Sequence, residues 1–272
     1  MRFLRNITKS LLGIEDAPQG KHDCRAYGVG DVHGRLDLLD AILGKIDQDI
    51  ASRPPKKNFI VFLGDLIDRG PASAQVVERL RTYRPQSGNP IFLLGNHEEV
   101  LLRILRGDRH VLPSWLKFGG AECARSYGLD PIMLGGIEER QAIQLVQHHV
   151  PAAHREFLEG FSDTFRFGDY LFVHAGIRPG IPLEEQDTAD LRWIREPFLT
   201  DRRAHGLMVV HGHTIVDAVE MRSNRIAIDT GGYRTGILSA LAIEDQRRWV
   251  LSTATRGETP RQNESLVETS AT

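Results

Sequence analysis

The chain has 272 residues, 41% hydrophobic and 26% charged, with a formal net charge of −2. Those values fit one large or two small globular domains with a substantial core, and they exclude a chain-wide basic surface for nucleic acid. Its two cysteines, Cys24 and Cys123, fall in no paired or metal-type spacing, which excludes a disulfide framework and predicts a reducing, cytoplasmic setting.

The opening stretch, MRFLRNITKSLLGIEDA, sets Arg2, Arg5 and Lys9 among Phe3, Leu4, Ile7, Leu11 and Leu12. It has neither a continuous apolar core nor a small-residue cleavage site, so a secretory signal is not expected. No run in the chain approaches the roughly 20 apolar residues of a bilayer span. A loose extension over residues 1–24 is the expectation, with a weak membrane-surface or partner contact as the alternative.

Three units then repeat one pattern. AYGVGDVHG leads into RLDLLDAILGKIDQDI, where Leu36, Leu39, Leu43, Ile46 and Ile50 recur at helical spacing. NFIVFLGDLIDRG leads into PASAQVVERLRTY, which places Pro71 in a first helical turn. PIFLLGNHE leads into EVLLRILRG. This succession predicts right-handed crossovers and a parallel sheet, whose ligands gather at the carboxyl ends of the strands. All three polar clusters fall at that point.

Residues 107–165 read as a helical cap. The strand-like runs DYLFVHAG, LMVVHGHT, RIAIDTG, ILSALAIED and RRWVLSTA follow, and little helix separates the later ones, which predicts a largely antiparallel second sheet. The polar end, residues 255–272, predicts a disordered tail. The fold class expected is α/β: two mixed sheets flanked by helices in one domain, residues 25–254.

The strand ends present Asp31 and His33 (GDVHG), Asp65 (GDLIDRG), Asn96 and His97 (GNHE), His174 (VHAG) and His213 (HGHT). Carboxylate, imidazole and amide oxygen without thiolate is the donor set of a hydrolytic transition-metal site. Two metals about 3.5–4 Å apart need a shared carboxylate, and the middle strand nominates Asp65. One Gly-Asp cluster alone is ordinary turn chemistry; three at the same topological edge are not.

The motifs GD-x-HG, GD-x-x-DRG, GNHE, HAG and GHT, in this order across residues 25–245, resemble the PPP-type branch of the calcineurin-like metallophosphoesterases, and within it the bacterial and phage Ser/Thr protein phosphatases. The resemblance implies a metallophosphoesterase sandwich, two divalent metal ions (manganese, with iron or zinc as alternatives) and in-line attack on phosphorus by a hydroxide held between them. It puts Asp31, His33 and Asp65 on one metal and Asp65, Asn96, His174 and His213 on the other. GHT at residues 212–214 selects His213 over His211, which is left to support or pack at the strand end.

The resemblance also makes His97 the general acid, Asp68 its orienter and Arg69 a planar fork for phosphate oxygens. DLRWIREPF resembles a bacterial W-x-RE element, which makes Arg195, rather than Arg192, the second phosphate arginine. Tyr233 in DTGGYRTG resembles a tyrosine that overhangs the site in eukaryotic relatives, although their neighbouring cysteine is here Arg234. Glu98 is expected to be structural. Of eleven histidines, His22, His110, His148, His149, His154 and His205 are expected to be solvated or packed.

The implied substrate is a phosphorylated protein or small phosphoester. Hydrolysis of diadenosine tetraphosphate or another nucleotide is the alternative. Those relatives typically depart from DRG and carry GNHD, whereas this chain has Asp68-Arg69-Gly70 and Glu98. A catalytically silent scaffold is a third reading, against which the intact ligand set and His97 stand.

Overall fold

The structure, a computed structural model, describes residues 17–85 and 88–254. The amphipathic stretch through residue 16 and the tail at 255–272 lie outside the described residues. Among those described, ten strands form two five-stranded sheets.

In the first sheet β1 (Cys24–Val29), β2 (Lys57–Phe62) and β3 (Asn89–Phe92) run parallel. Helix α1 (Leu36–Ala51) crosses from β1 to β2, α2 (Ser73–Arg81) from β2 to β3, and α3 (Asn96–Leu105) leaves β3. In α1 the predicted Leu39, Leu43 and Ile46 are buried, Leu36 and Ile50 pack partly buried on the same core, and Leu38 and Ile42 widen the stripe. Pro71 is not in a helical turn, because α2 starts at Ser73. The Ala72 N–H donates to the Gly34 carbonyl at 3.0 Å, which holds residues 71–72 in the turn.

The cap contains α4 (Leu112–Trp115), α5 (Ala121–Ser126), α6 (Pro131–Gly136), α7 (Glu139–His149) and α8 (Ala152–Glu159). It ends before the expected residue 165, since β4 (Thr164–Phe167) has begun. The second sheet continues with β5 (Tyr170–Val173), β6 (Met208–His211), β7 (Glu220–Met221) and β8 (Arg225–Ala227), in the order β4-β5-β6-β8-β7.

The expectation that this sheet is largely antiparallel fails at its centre, where β5–β6 and β6–β8 are parallel. The connection from β5 carries α9 (Thr188–Trp193), whose Leu191 packs with Ile194 and Phe198 against Leu171, Val173 and Val209. The chain thus crosses the sheet's outer face and returns in the same direction. Nor do the last two predicted strands join this sheet. After α10 (Gly232–Thr235), β9 (Ser239–Glu244) pairs antiparallel with β1, and β10 (Arg247–Ser252) with β9. All six residues of β9 are buried, which suits a strand covered on both faces.

Alternation along β2 divides the core. Phe59, Val61 and Leu63 pack with Phe172, Val210 and Ile226 between the sheets, while Ile60 and Phe62 pack with the helices outside. Each such buried side chain contributes roughly 1.5–3 kcal/mol relative to exposure. The sheets approach closely at Gly28, where a Cβ would sit 2.8 Å from Phe172 Cε1. The carboxyl ends of β1, β2, β5 and β6 are brought to one edge. Among the described residues no helix is long and apolar enough to cross a membrane.

Candidate metal centre

The backbone at this edge is strained. Of seven non-glycine residues with positive φ among those described, five are His33 (45°), Asp65 (49°), Asp68 (70°), Arg69 (64°) and His213 (62°). Each such residue costs about 1–3 kcal/mol and persists only where its surroundings enforce it. Glu98 supplies much of that enforcement. Its fully buried carboxylate accepts the N–H groups of Asp65 (2.8 Å), Leu66 (2.8 Å), Ile67 (3.3 Å) and Gly95 (3.1 Å). A side chain on Gly95 would collide with Asp65 Oδ1, so that glycine is a condition of the approach.

Asp65 stands at the centre. Its Oδ2 is 3.6 Å from His33 Nε2, and its Oδ1 is 3.4 Å from His174 Nε2. Two sets of donor atoms, His33–Asp65–His97 and Asp65–His174–His213, each lie within 4.8 Å of one another, and both include Asp65.

The hydrogen bonds behind these side chains define what fits between them. His33 Nδ1 donates to the Ile67 carbonyl at 2.8 Å and His174 Nδ1 to the Leu63 carbonyl at 2.7 Å. Burial favours neutral rings, lowering the His174 pKa and pushing that of His33 down to about 3. With the proton on Nδ1, each Nε2 presents a bare lone pair. That of His33 faces Asp65, and that of His174 faces both Asp65 and Asn96 Oδ1, the latter at 2.9 Å.

Acceptor therefore meets acceptor, a conflict that a cation between them would relieve. Asp31 Oδ1 and His213 Nε2 are also buried, with no hydrogen-bond partner among the described residues. Asp31 stands outside both sets. Its Oδ2 accepts the His213 N–H at 3.0 Å, and burial together with Asp229 and Asp65 pushes its pKa well up. These residues fit divalent metal.

Asp229 was not singled out by the sequence, although its run, RIAIDTG, ends just after β8 as the other clusters end their strands. It is 2% exposed, accepts the Gly231 N–H at 2.8 Å, and interacts with Asp31. His211 lies away from both donor sets. Its ring packs on Phe198 at 5.1 Å, with Nε2 3.3 Å from Arg225.

His97 Nδ1 contacts Asp68 Oδ2 at 2.6 Å, while an Arg69 guanidinium nitrogen lies 3.1 Å from Nε2. Burial lowers the His97 pKa, but Asp65 and Asp68 outweigh it and push it up to about 9. The Arg69 guanidinium lies 4.8 Å above the Tyr233 ring, which also meets His33 at 5.2 Å. Arg192 is committed to Asp163 and Glu99 at 2.7 and 3.2 Å. Arg195 is exposed, makes no ion pair among the described residues, and its charge depresses the pKa values of His174 and His213.

Known proteins share this organisation. The calcineurin-like phosphoesterase model matches residues 25–236. Serine/threonine-protein phosphatase 2 of Escherichia coli (strain K12) is 28% identical over 236 residues, covering 82% of this chain and 94% of its own length. The symmetrical bis(5′-nucleosyl)-tetraphosphatase of Acidovorax ebreus (strain TPSY) is 34% identical over 159 residues. That match covers 58% of this chain and 46% of the relative, less than half its length. A solved structure assigned provisionally as a diadenosine tetraphosphatase superposes with a TM-score of 0.59 at 19% identity, over 87% of this chain and 98% of that one, a likeness of fold. With two sheets carrying carboxylate and imidazole to one edge, and a family match across most of its length, the chain belongs to the calcineurin-like metallophosphoesterases.

Proposed function

We propose that the chain is a dinuclear-metal phosphomonoesterase acting on phosphoserine and phosphothreonine in proteins, with residues 25–254 as its catalytic unit. The observation that carries this reading is the contact of Asp68 Oδ2 with His97 Nδ1 at 2.6 Å, with the Arg69 guanidinium 3.1 Å from the other ring nitrogen. Asp31, His33 and Asp65 would hold one divalent cation, and Asp65, Asn96, His174 and His213 the other. Bound there, manganese, iron or zinc supplies Lewis-acid polarisation and an acidified water.

The protein's own part is proton delivery and phosphate orientation. Loss of an alkoxide from phosphorus needs a proton, and a positioned acid supplies it. Asp68 fixes the His97 ring through Nδ1, leaving Nε2 as the atom that carries the proton. With Asp65 engaged as a ligand, Asp68 would be the partner that sustains the imidazolium. Arg69 can serve either His97 Nε2 or a phosphate, not both. A bound phosphate draws the guanidinium away and leaves Nε2 facing the leaving group. Arg195 adds positive charge on the His174–His213 side, and Tyr233 limits the rotation of Arg69.

The alignment with the Escherichia coli phosphatase, 28% identical over 94% of that protein, supports this substrate choice. A panel on manganese-loaded protein tests it: phosphoserine and phosphothreonine peptides, an aryl phosphate, a phosphodiester and diadenosine tetraphosphate. The peptides are expected to give the highest kcat/KM, and a clear preference for diadenosine tetraphosphate would overturn the assignment.

Arg69→Lys is expected to raise the inhibition constant of free phosphate by about tenfold or more, because a point charge cannot replace a two-pronged contact. An unchanged constant would remove Arg69 from direct contact with phosphate.

A further inference from the structure

Between α4 and α5 the cap makes a π-turn over Leu116–Gly120, where Phe118 and Gly119 leave helical geometry and Gly119 takes φ +113°. The Gly119 carbonyl accepts the Arg69 backbone N–H at 2.9 Å, and a Cβ on Gly119 would fall 2.6 Å from Arg69 Cγ. One turn earlier, Trp115 is 3% exposed and donates its indole N–H to Asp68 Oδ1 at 3.1 Å. The other oxygen of that carboxylate is the one on His97. Gly120 leaves room for the indole, since any side chain there would strike the ring.

Asp68 and Arg69 are consecutive residues with φ of 70° and 64°, a conformation that L side chains adopt only under constraint. Locally the turn is tied by two bonds, Asp68 N–H to Oγ of Ser73 at the start of α2 at 3.0 Å and Gly70 N–H to the Asp68 carbonyl at 2.7 Å. Neither fixes the Asp68 carboxylate or the direction of Arg69.

We propose that the cap segment Trp115–Gly119 is a positioning element for the reaction. Trp115 locks one oxygen of Asp68 so that the other orients His97, and the Gly119 carbonyl holds the Arg69 backbone so that its fork faces the phosphate. This rests on the reading of His97 as proton donor and Arg69 as phosphate contact, and it gives the cap a role in turnover. An indole N–H is a donor only. Removing it leaves Asp68 Oδ1 without that partner in a buried site, and lets the carboxylate rotate about the bond that aims it.

The test uses the full-length manganese-loaded protein. Trp115→Phe is expected to lower kcat on a phosphoserine peptide by roughly tenfold to a hundredfold, the scale of one charge-assisted hydrogen bond. KM should change little, and kcat on an aryl phosphate should fall much less. Added to Asp68→Asn, the same substitution should cost nothing further, because the carboxylate through which the indole acts on His97 is already gone. Gly119→Ala should instead raise the inhibition constant of phosphate by displacing Arg69.

A readout free of turnover accompanies these. In 1H–15N spectra of the diamagnetic zinc-loaded protein, the Trp115 indole resonance of the wild-type chain should be protected from exchange and should move in Asp68→Asn. Equal losses on peptide and aryl phosphate, additive losses with Asp68→Asn, or an unmoved indole resonance would each overturn the proposal. If His97→Asn spares the peptide, the proton-donor reading falls. The indole resonance and the Trp115–Asp68 coupling then still decide whether the cap positions Asp68.

Discussion

Replacing Asp65 by asparagine is expected to abolish turnover and to lower the divalent metal that the protein retains. Both Asp65 oxygens face imidazole nitrogens within 3.6 Å, and both sets of converging donors contain this residue. Asparagine keeps the shape and one acceptor oxygen but loses the charge and turns the second atom into a donor. That N–H₂ would point at the bare Nε2 of either His33 or His174 and could satisfy the apoprotein while excluding a cation.

The expected loss in kcat/KM is about a thousandfold or more, the rate equivalent of roughly 4 kcal/mol, as when one member of a buried charge pair is removed. Metal content by inductively coupled plasma spectrometry should fall together with activity. The chain should stay folded, because Glu98 holds the Asp65 turn through backbone N–H groups that the substitution leaves in place. Full activity with full metal content would refute the shared-ligand assignment.

The contrast between Asp65 and Trp115 shows which parts of this site a sequence exposes. Asp31, Asp65 and His213 each follow a strand and a glycine within a few residues, so local spacing carries both the element and the donor. The parallel arrangement of β1, β2 and β3 was legible for the same reason, since each unit holds its own strand, turn and helix. Trp115 reaches Asp68 across 47 positions in sequence. Nothing near residue 115 marks an indole as a hydrogen-bond donor rather than a core side chain, because the contact exists only once the cap has folded onto the second turn.

The partner sheet of β9 was hidden in a similar way. SALAIE is apolar on both faces, and that pattern fits a covered central strand in either sheet. Pairing with β1 is decided by closure of the whole sandwich. Glu98 lies between these cases. Its place after His97 was visible, but its task, gathering four N–H groups from two strand ends, requires those ends to be side by side.

Replacing His97 by asparagine separates the two halves of the proposed chemistry. The Asn side-chain nitrogen falls near the position of Nδ1 and can still donate to Asp68, so the 2.6 Å contact with that carboxylate has a successor. What disappears is Nε2, which meets Arg69 at 3.1 Å and would carry the proton to the leaving group. Phosphoserine leaves as a strongly basic alkoxide and needs that proton, whereas an activated aryl phosphate leaves as a weakly basic phenolate. kcat on the phosphoserine peptide is therefore expected to fall by about a hundredfold to ten-thousandfold, and kcat on the aryl phosphate by far less.

The same variant should shift the pH dependence on the peptide. Asp65 and Asp68 raise the His97 pKa against burial, and with a cation on Asp65 the Asp68 contact would still hold it above the ordinary imidazole value. The protonated ring therefore prevails below that raised pKa and is lost as pH rises through it. Wild-type kcat on the peptide should decline along the alkaline limb, and His97→Asn should flatten that limb while leaving the acid limb in place. Metal content should be retained, because Asp65, His174, His33 and Asn96 are untouched. A loss that is equal for both substrates, with the alkaline limb intact, would show that His97 organises the site without donating the proton, and would pass the donor's role to another group.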